Sequence, residues 1–224
     1  MDVGRRIVDS YRRNRLEELL ERRDFAGAAA LLEPQHDSRL AAEAAAKRLN
    51  LDFAPSLHLL NQILARSGGA TPDQLDCLYH DTDSLARGER DAVMLEVYWN
   101  ARVKWYRGDY ADFLGRVWRL MEAALQEAVG RLCGLDLTDE KRTRDDFDQW
   151  VRSIPDLFKF IEKQTTEKID SNKQSAWLLG KVLEWFLKQD NQKPPPETAR
   201  CAQAVKNLEP LRNPRNKSVL AHGF

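Results

Sequence analysis

Two side chains near the end of the chain, Arg215 and His222, are of the types that act on a phosphate ester. Asn213 is a good N-cap, Pro214 fits the first helical position, where its missing N–H costs nothing, and Gly223 is a stop signal. On the helix this predicts, seven positions leave Arg215 and His222 within about 20° of one face and about 10 Å apart along the axis. Ser218 lies between them. A guanidinium beside the unpaired N–H groups and positive dipole of a helix start suits a phosphate, and the imidazole two turns on titrates near neutrality. Phosphate binding joined to proton transfer points to RNA cleavage. Without a metal, that reaction needs a base for the 2′-hydroxyl proton, stabilisation of charge on the phosphorus oxygens, and an acid for the leaving 5′-oxygen. One histidine does not readily serve both ends. The bland alternative is a surface helix end with Arg215 and His222 solvated.

Arg215 is followed directly by Asn216, six residues separate Arg215 from His222, and the chain closes on Leu220-Ala221-His222-Gly223-Phe224. This resembles the signature of HEPN-domain ribonucleases, in particular the CRISPR-associated accessory nucleases of type III systems. A second segment, Tyr106 to Glu122, is similar to the helix that opens the nuclease domain in the same family. The resemblance implies a metal-independent endoribonuclease that cuts single-stranded RNA by 2′-hydroxyl attack in CRISPR-linked antiviral defence. It implies a homodimer in which two motif helices meet across a two-fold axis, joining two arginines and two histidines in one site. Carried over here, the catalytic residues are Arg215 and His222, with Asn216 orienting or contacting RNA, and Arg212, Arg116 and Arg119 are candidate RNA contacts. No cofactor or metal is implied.

Two features depart from the family pattern. Its CRISPR members carry a Rossmann-like sensor, and no strand, glycine-rich loop and helix occur in that order here. This chain by itself is therefore not expected to bind cyclic oligoadenylate. The sequence also stops two residues after His222, where family members continue into another helix, so a fragment or a degenerate copy is expected. The rival reading is a non-catalytic, all-helical dimeric interaction or scaffold protein that keeps the dimer interface and not turnover.

Of the 224 residues, 42% are hydrophobic and 31% charged, and 35 Lys and Arg balance 35 Asp and Glu. With no global basic footprint, RNA contacts should be local and transient, which suits an enzyme better than a coating protein. No run approaches the roughly 20 apolar residues that span a bilayer, and the N-terminus lacks a signal-peptide core, so a cytoplasmic protein is expected. Cys77, Cys133 and Cys201 form neither a disulfide framework nor a zinc pattern. Cys77 and His80, with Asp81 and Asp83, raise a metal site only to lose it, because no second ligand pair accompanies them and the glycine of a calcium loop is absent.

The elements that must position the motif are helices. No segment alternates at period two long enough for a strand, so the fold class is all-α, with a helical N-terminal region over 1–89 and, as the resemblance implies, a HEPN-type bundle over 90–224. Residues 5–33 read as two helices, with Asp24 as the cap before Phe25, and resemble one helix-turn-helix unit of the tetratricopeptide kind. A second pair follows over 38–50 and 52–66, then a helix capped by Thr71 and Pro72 through Tyr79, and a joint from His80 to Glu89. Asp91 to Arg107 is helical, with Val93, Val97, Trp105 and Tyr106 prominent. Gly108 breaks the chain before the strongest helix, Tyr110 to Leu132, whose stripe is Phe113, Leu114, Val117, Met121, Ala124, Ala128 and Leu132. Arg116 and Arg119 lie elsewhere on its surface, where an Arg119 to Glu122 pair is possible. Gly134 to Asp148 reads as a loop or insertion. Pro155 starts a helix, Lys173 to Gln189 forms another, and a proline break precedes Glu197 to Leu208. The aromatic residues of these helices are expected in the core.

Overall fold

The computed structural model describes the backbone of residues 3–67, 73–164, 175–189 and 196–208, and all of its regular structure there is α-helical. Within these residues eleven helices follow in order: α1 (Val3–Glu21), α2 (Phe25–Leu31), α3 (Asp37–Leu49), α4 (Phe53–Arg66), α5 (Asp73–Ala86), α6 (Arg90–Tyr106), α7 (Tyr110–Cys133), α8 (Glu140–Ser153), α9 (Pro155–Glu162), α10 (Ala176–Leu187) and α11 (Pro196–Leu208). The expected all-α class holds. Two compact units divide the chain, Met1–Phe113 and Leu114–Phe224.

In the first unit, α1 to α5 pack each on the next in sequence and α6 follows on α5. Local chemistry sets the corners. The Asp24 carboxylate accepts from the Gly27 N–H at 3.1 Å and starts α2, as its type and place predicted. Small residues, Ala28, Ala29, Ala42 and Ala44, are buried and let the helices approach closely. Ser56, buried on α4, donates to the Ala44 carbonyl at 2.8 Å. Arg48 on α3 grips Glu96 on α6 through two bonds of 2.9 and 2.7 Å and reaches Thr82 Oγ1 on α5 at 3.3 Å, so one bidentate guanidinium ties three helices.

In the second unit, α7, α8, α9 and α10 share one core: Met121, Leu125, Ala128 and Val129 from α7, Phe147 and Val151 from α8, Leu157 and Ile161 from α9, and Leu178, Leu179, Val182 and Leu183 from α10. Cys201, Ala202, Val205 and Leu208 of α11 pack against it. Met121, Ala128 and Leu132 of the expected α7 stripe lie on this core side, but the fully buried positions are Leu125 and Val129. The stripe is rotated by about one residue from the one expected.

Residues 140–153, within or just beyond the expected loop, form helix α8. Its side chains are mostly charged, yet Thr143, Phe147 and Val151 recur every four residues and all face inward. Three buried positions on one face, with Asp139 capping the Arg142 N–H at 3.2 Å, stabilise a helix that composition conceals. The joint expected over 80–89 is shorter, because α5 runs on to Ala86. The Thr71 and Pro72 cap and most of the proline break lie outside the described residues, although Pro196 opens α11.

Gly134 ends α7 with φ of 70°, and the Leu135 N–H donates back to the Gly130 carbonyl at 3.1 Å, a left-handed glycine cap. The return of the chain brings the Leu135 carbonyl to 2.6 Å from where a Cβ on Gly130 would stand, whereas a Cβ on Gly115 of the same helix meets nothing within 4 Å. Gly130→Ala should destabilise the protein by about 1–3 kcal/mol because backbone must move. Gly115→Ala should stabilise by up to about 1 kcal/mol through helix propensity alone. Urea midpoints of the two variants will differ in sign relative to the parent; equal shifts would contradict the packed α7 C-terminus.

Candidate functional site

Of the six candidate site residues, Arg116 and Arg119 lie on α7, and Arg212, Arg215, Asn216 and His222 lie outside the described residues. Three positions apart, Arg116 and Arg119 share one side of α7 and differ in setting. Arg119 is exposed, with 80% of its side chain in solvent, and its guanidinium is 3.9 Å from Glu122. That pair was legible from the spacing, and at this exposure it contributes little and leaves Arg119 available to an anion. Arg116 is half-buried, with Nε and Nη1 out of contact with solvent. The structure therefore keeps Arg119 in the open and draws Arg116 inward.

The second unit opens a groove of about 800 Å³ lined by residues of α7, α10 and α11. Met121, Leu125 and Leu183 form its apolar floor, and Trp118, Glu122, Trp177, Lys181, Glu184 and Lys206 stand around it. Trp118 Nε1 donates to Glu122 at 3.0 Å. Glu184 sits between Lys181 and Lys188, each at 2.8 Å. The hydrogen bond from Lys181, then that from Lys188, holds its carboxyl below the usual range. Lys181, Glu184 and Lys188 escaped the sequence reading, although their three- and four-residue spacing on a predicted helix was the signal for such a cluster. With its carboxylate neutralised by two ammonium groups, this rim is suited to binding and orientation, not to proton transfer near neutral pH.

The remaining histidines of the chain are accounted for locally. His36 Nδ1 caps α3 by accepting from Ser38 N–H at 3.2 Å, His58 Nε2 is 2.9 Å from Gln62 Nε2, and His80 Nε2 is 3.7 Å from Asp76. Cys77 is exposed, and no group of three or more His, Cys, Asp or Glu placed to hold a metal ion occurs among the described residues. Burial pushes the Cys133 and Cys201 thiols above their ordinary pKa, which makes them poor nucleophiles.

The helices that carry Arg116, Arg119 and the groove fall inside a longer match. The family model described as the Csm6 HEPN domain covers residues 84–224, which is more than half of the chain. The chain belongs to the Csm6 HEPN family. No curated protein and no solved structure matches it. The matched stretch runs from the last turn of α5 through α11 and on over the Arg215 to His222 segment. HEPN domains of this kind are generally ribonucleases. Among the described residues, no helix of this HEPN protein is long and apolar enough to cross a membrane.

Proposed function

We propose that this HEPN protein is a metal-independent endoribonuclease of CRISPR-linked defence that cuts single-stranded RNA. The observation that carries the reading is the family match over 84–224, because that stretch holds Arg215, Asn216 and His222 at the spacing that one helix face requires. In this mechanism Arg215 binds the scissile phosphate and stabilises charge on its non-bridging oxygens. His222 of one chain takes the 2′-hydroxyl proton, so that the 2′-oxygen attacks phosphorus, and the second His222 protonates the departing 5′-oxygen. Asn216 orients the phosphate or the base beside it. Residues 90–224 form the nuclease module, two copies of which share the site, and 1–89 form a helical accessory region. Arg119, exposed on α7, and Arg212 hold flanking phosphates, with Arg116 the more confined contact.

RNA cleavage in EDTA should leave a 2′,3′-cyclic phosphate and a 5′-hydroxyl, because the nucleophile is the substrate's own 2′-oxygen. Mass spectrometry of the fragments reads both ends. A 5′-phosphate product, or an absolute requirement for added Mg²⁺, would count decisively against this chemistry.

A further inference from the structure

Helix α6 is built inside out. Its buried face carries Val97, Asn100, Ala101 and Lys104, while Leu95, Trp99 and Tyr106 stand in solvent, Trp99 at 49% and Tyr106 at 76% exposure. Lys104 is accommodated inside by ion pairs with Asp112 at 2.7 Å and Asp109 at 3.5 Å. Scattered exposed apolar residues need no explanation, but aromatic rings aligned on the outer face of a helix whose inner face is partly polar do. Positions 95, 99, 102 and 106 follow the three- and four-residue spacing of a single stripe, and the stripe includes Arg102, whose guanidinium lies over the Trp99 ring at 4.9 Å.

This stripe forms one wall of a groove of about 1070 Å³ within the first unit, and the turn between α1 and α2 forms the other. That turn supplies Arg22 and Arg23, and Arg107 also lines the groove. Arg107 Nη1 donates to the Arg23 carbonyl at 3.4 Å, joining the two walls. Four guanidinium groups face two carboxylates, Glu21 and Asp24, and Asp24 is already engaged as the cap of α2. Arg22 reaches Glu18 at 3.3 Å and Arg107 reaches Asp109 at 3.4 Å, exposed pairs that exchange readily for a phosphate. Arginines that track a backbone beside aromatic faces that stack bases are the two parts of a single-strand site.

We propose that this Arg22, Arg23, Arg102, Trp99 and Tyr106 groove binds single-stranded RNA, with the guanidinium groups on phosphates and the two rings against bases. The choice of RNA as ligand rests on the ribonuclease reading above; the groove itself does not. An acidic peptide would satisfy the arginines but gives no reason for Trp99 and Tyr106 to stand in solvent. Stacking on Trp99 and Tyr106 makes the site largely sequence-tolerant, since every base has a face to stack. It supplies the local basic footprint that the balanced charge of the whole chain conceals.

The test is fluorescence anisotropy of the full chain with a labelled 2′-O-methyl RNA, which cannot undergo 2′-oxygen attack, so binding is read whether or not the protein cleaves. Trp99→Ala should weaken binding about tenfold by loss of stacking, and Trp99→Phe should restore most of it. Arg23 has a left-handed backbone with φ of 58°, so Arg23→Gly removes the charge while relaxing the chain and leaves the melting temperature at or above that of the parent. Combined with Arg102→Ala, it should lower the slope of log affinity against log salt by about 1.4, at about 0.7 for each phosphate no longer neutralised. Ultraviolet crosslinking of 5-iodouridine RNA should mark the peptide that holds Trp99 and Tyr106. Unchanged affinity and slope in both variants, or displacement of RNA by polyglutamate with no effect of Trp99→Ala, would overturn the groove while leaving the nuclease reading intact. Loss of RNA binding in the variants of a protein that cleaves no RNA would uphold the groove and overturn the nuclease.

Discussion

His222→Ala should lower RNA cleavage by about 10²–10⁴-fold, the usual worth of a positioned acid or base, with helicity and Tm unchanged. The expectation follows from chemistry. No other histidine is a rival: His36 caps a helix, His58 sits beside Gln62 and His80 faces Asp76, all in the first unit. Cys133 and Cys201 are held in their protonated form by burial. Single-turnover rates on an unstructured RNA, paired with a thermal melt, make the measurement. If the variant unfolds, His222 is a packing residue and the catalytic role assigned to it is lost. If it folds and still cleaves at the parent rate, proton transfer belongs elsewhere.

Mixing the parent with the His222→Ala chain should poison activity more steeply than dilution. Each proposed site needs one histidine as base and another as acid, and a single chain contributes one. In randomly assorted two-fold dimers the fraction with two intact copies is the square of the parent fraction, so an equal mixture retains about one quarter of the activity of the undiluted parent. Independent sites would retain about one half. Rates across a mixing series, after exchange of subunits, distinguish a quadratic from a linear fall. A linear fall, or full activity at concentrations where the protein sediments as a monomer, contradicts the shared site.

Much of the fold is legible in the chain because the signals are local. Asp24 before Phe25, Pro155 at the start of α9 and Gly134 after α7 are chemical statements about single turns, and each element starts or stops where they stand. The family signature at Arg215, Asn216 and His222 is equally local, and the match over 84–224 agrees with the recognition drawn from it.

The misread parts depend on partners distant in sequence. Residues 140–153 look like a charged loop until α7, α9 and α10 present a core for Phe147 and Val151. The rotation of α7 that buries Leu125 and Val129 follows from the same core and not from counting apolar residues along one helix. Helix α6 makes the point most sharply. In the sequence Val93, Val97, Trp105 and Tyr106 stand out along this helix, with nothing to say which of them face inward. Asp109 and Asp112 receive the ammonium of Lys104, and Glu96 is claimed by Arg48, 48 residues away, so Asn100 and Lys104 turn inward beside Val97 and Ala101 while Trp99, Trp105 and Tyr106 turn to solvent. Periodicity names the faces of a helix, but burying a charge depends on an opposite charge brought to it by folding, and only that pairing shows which face is covered.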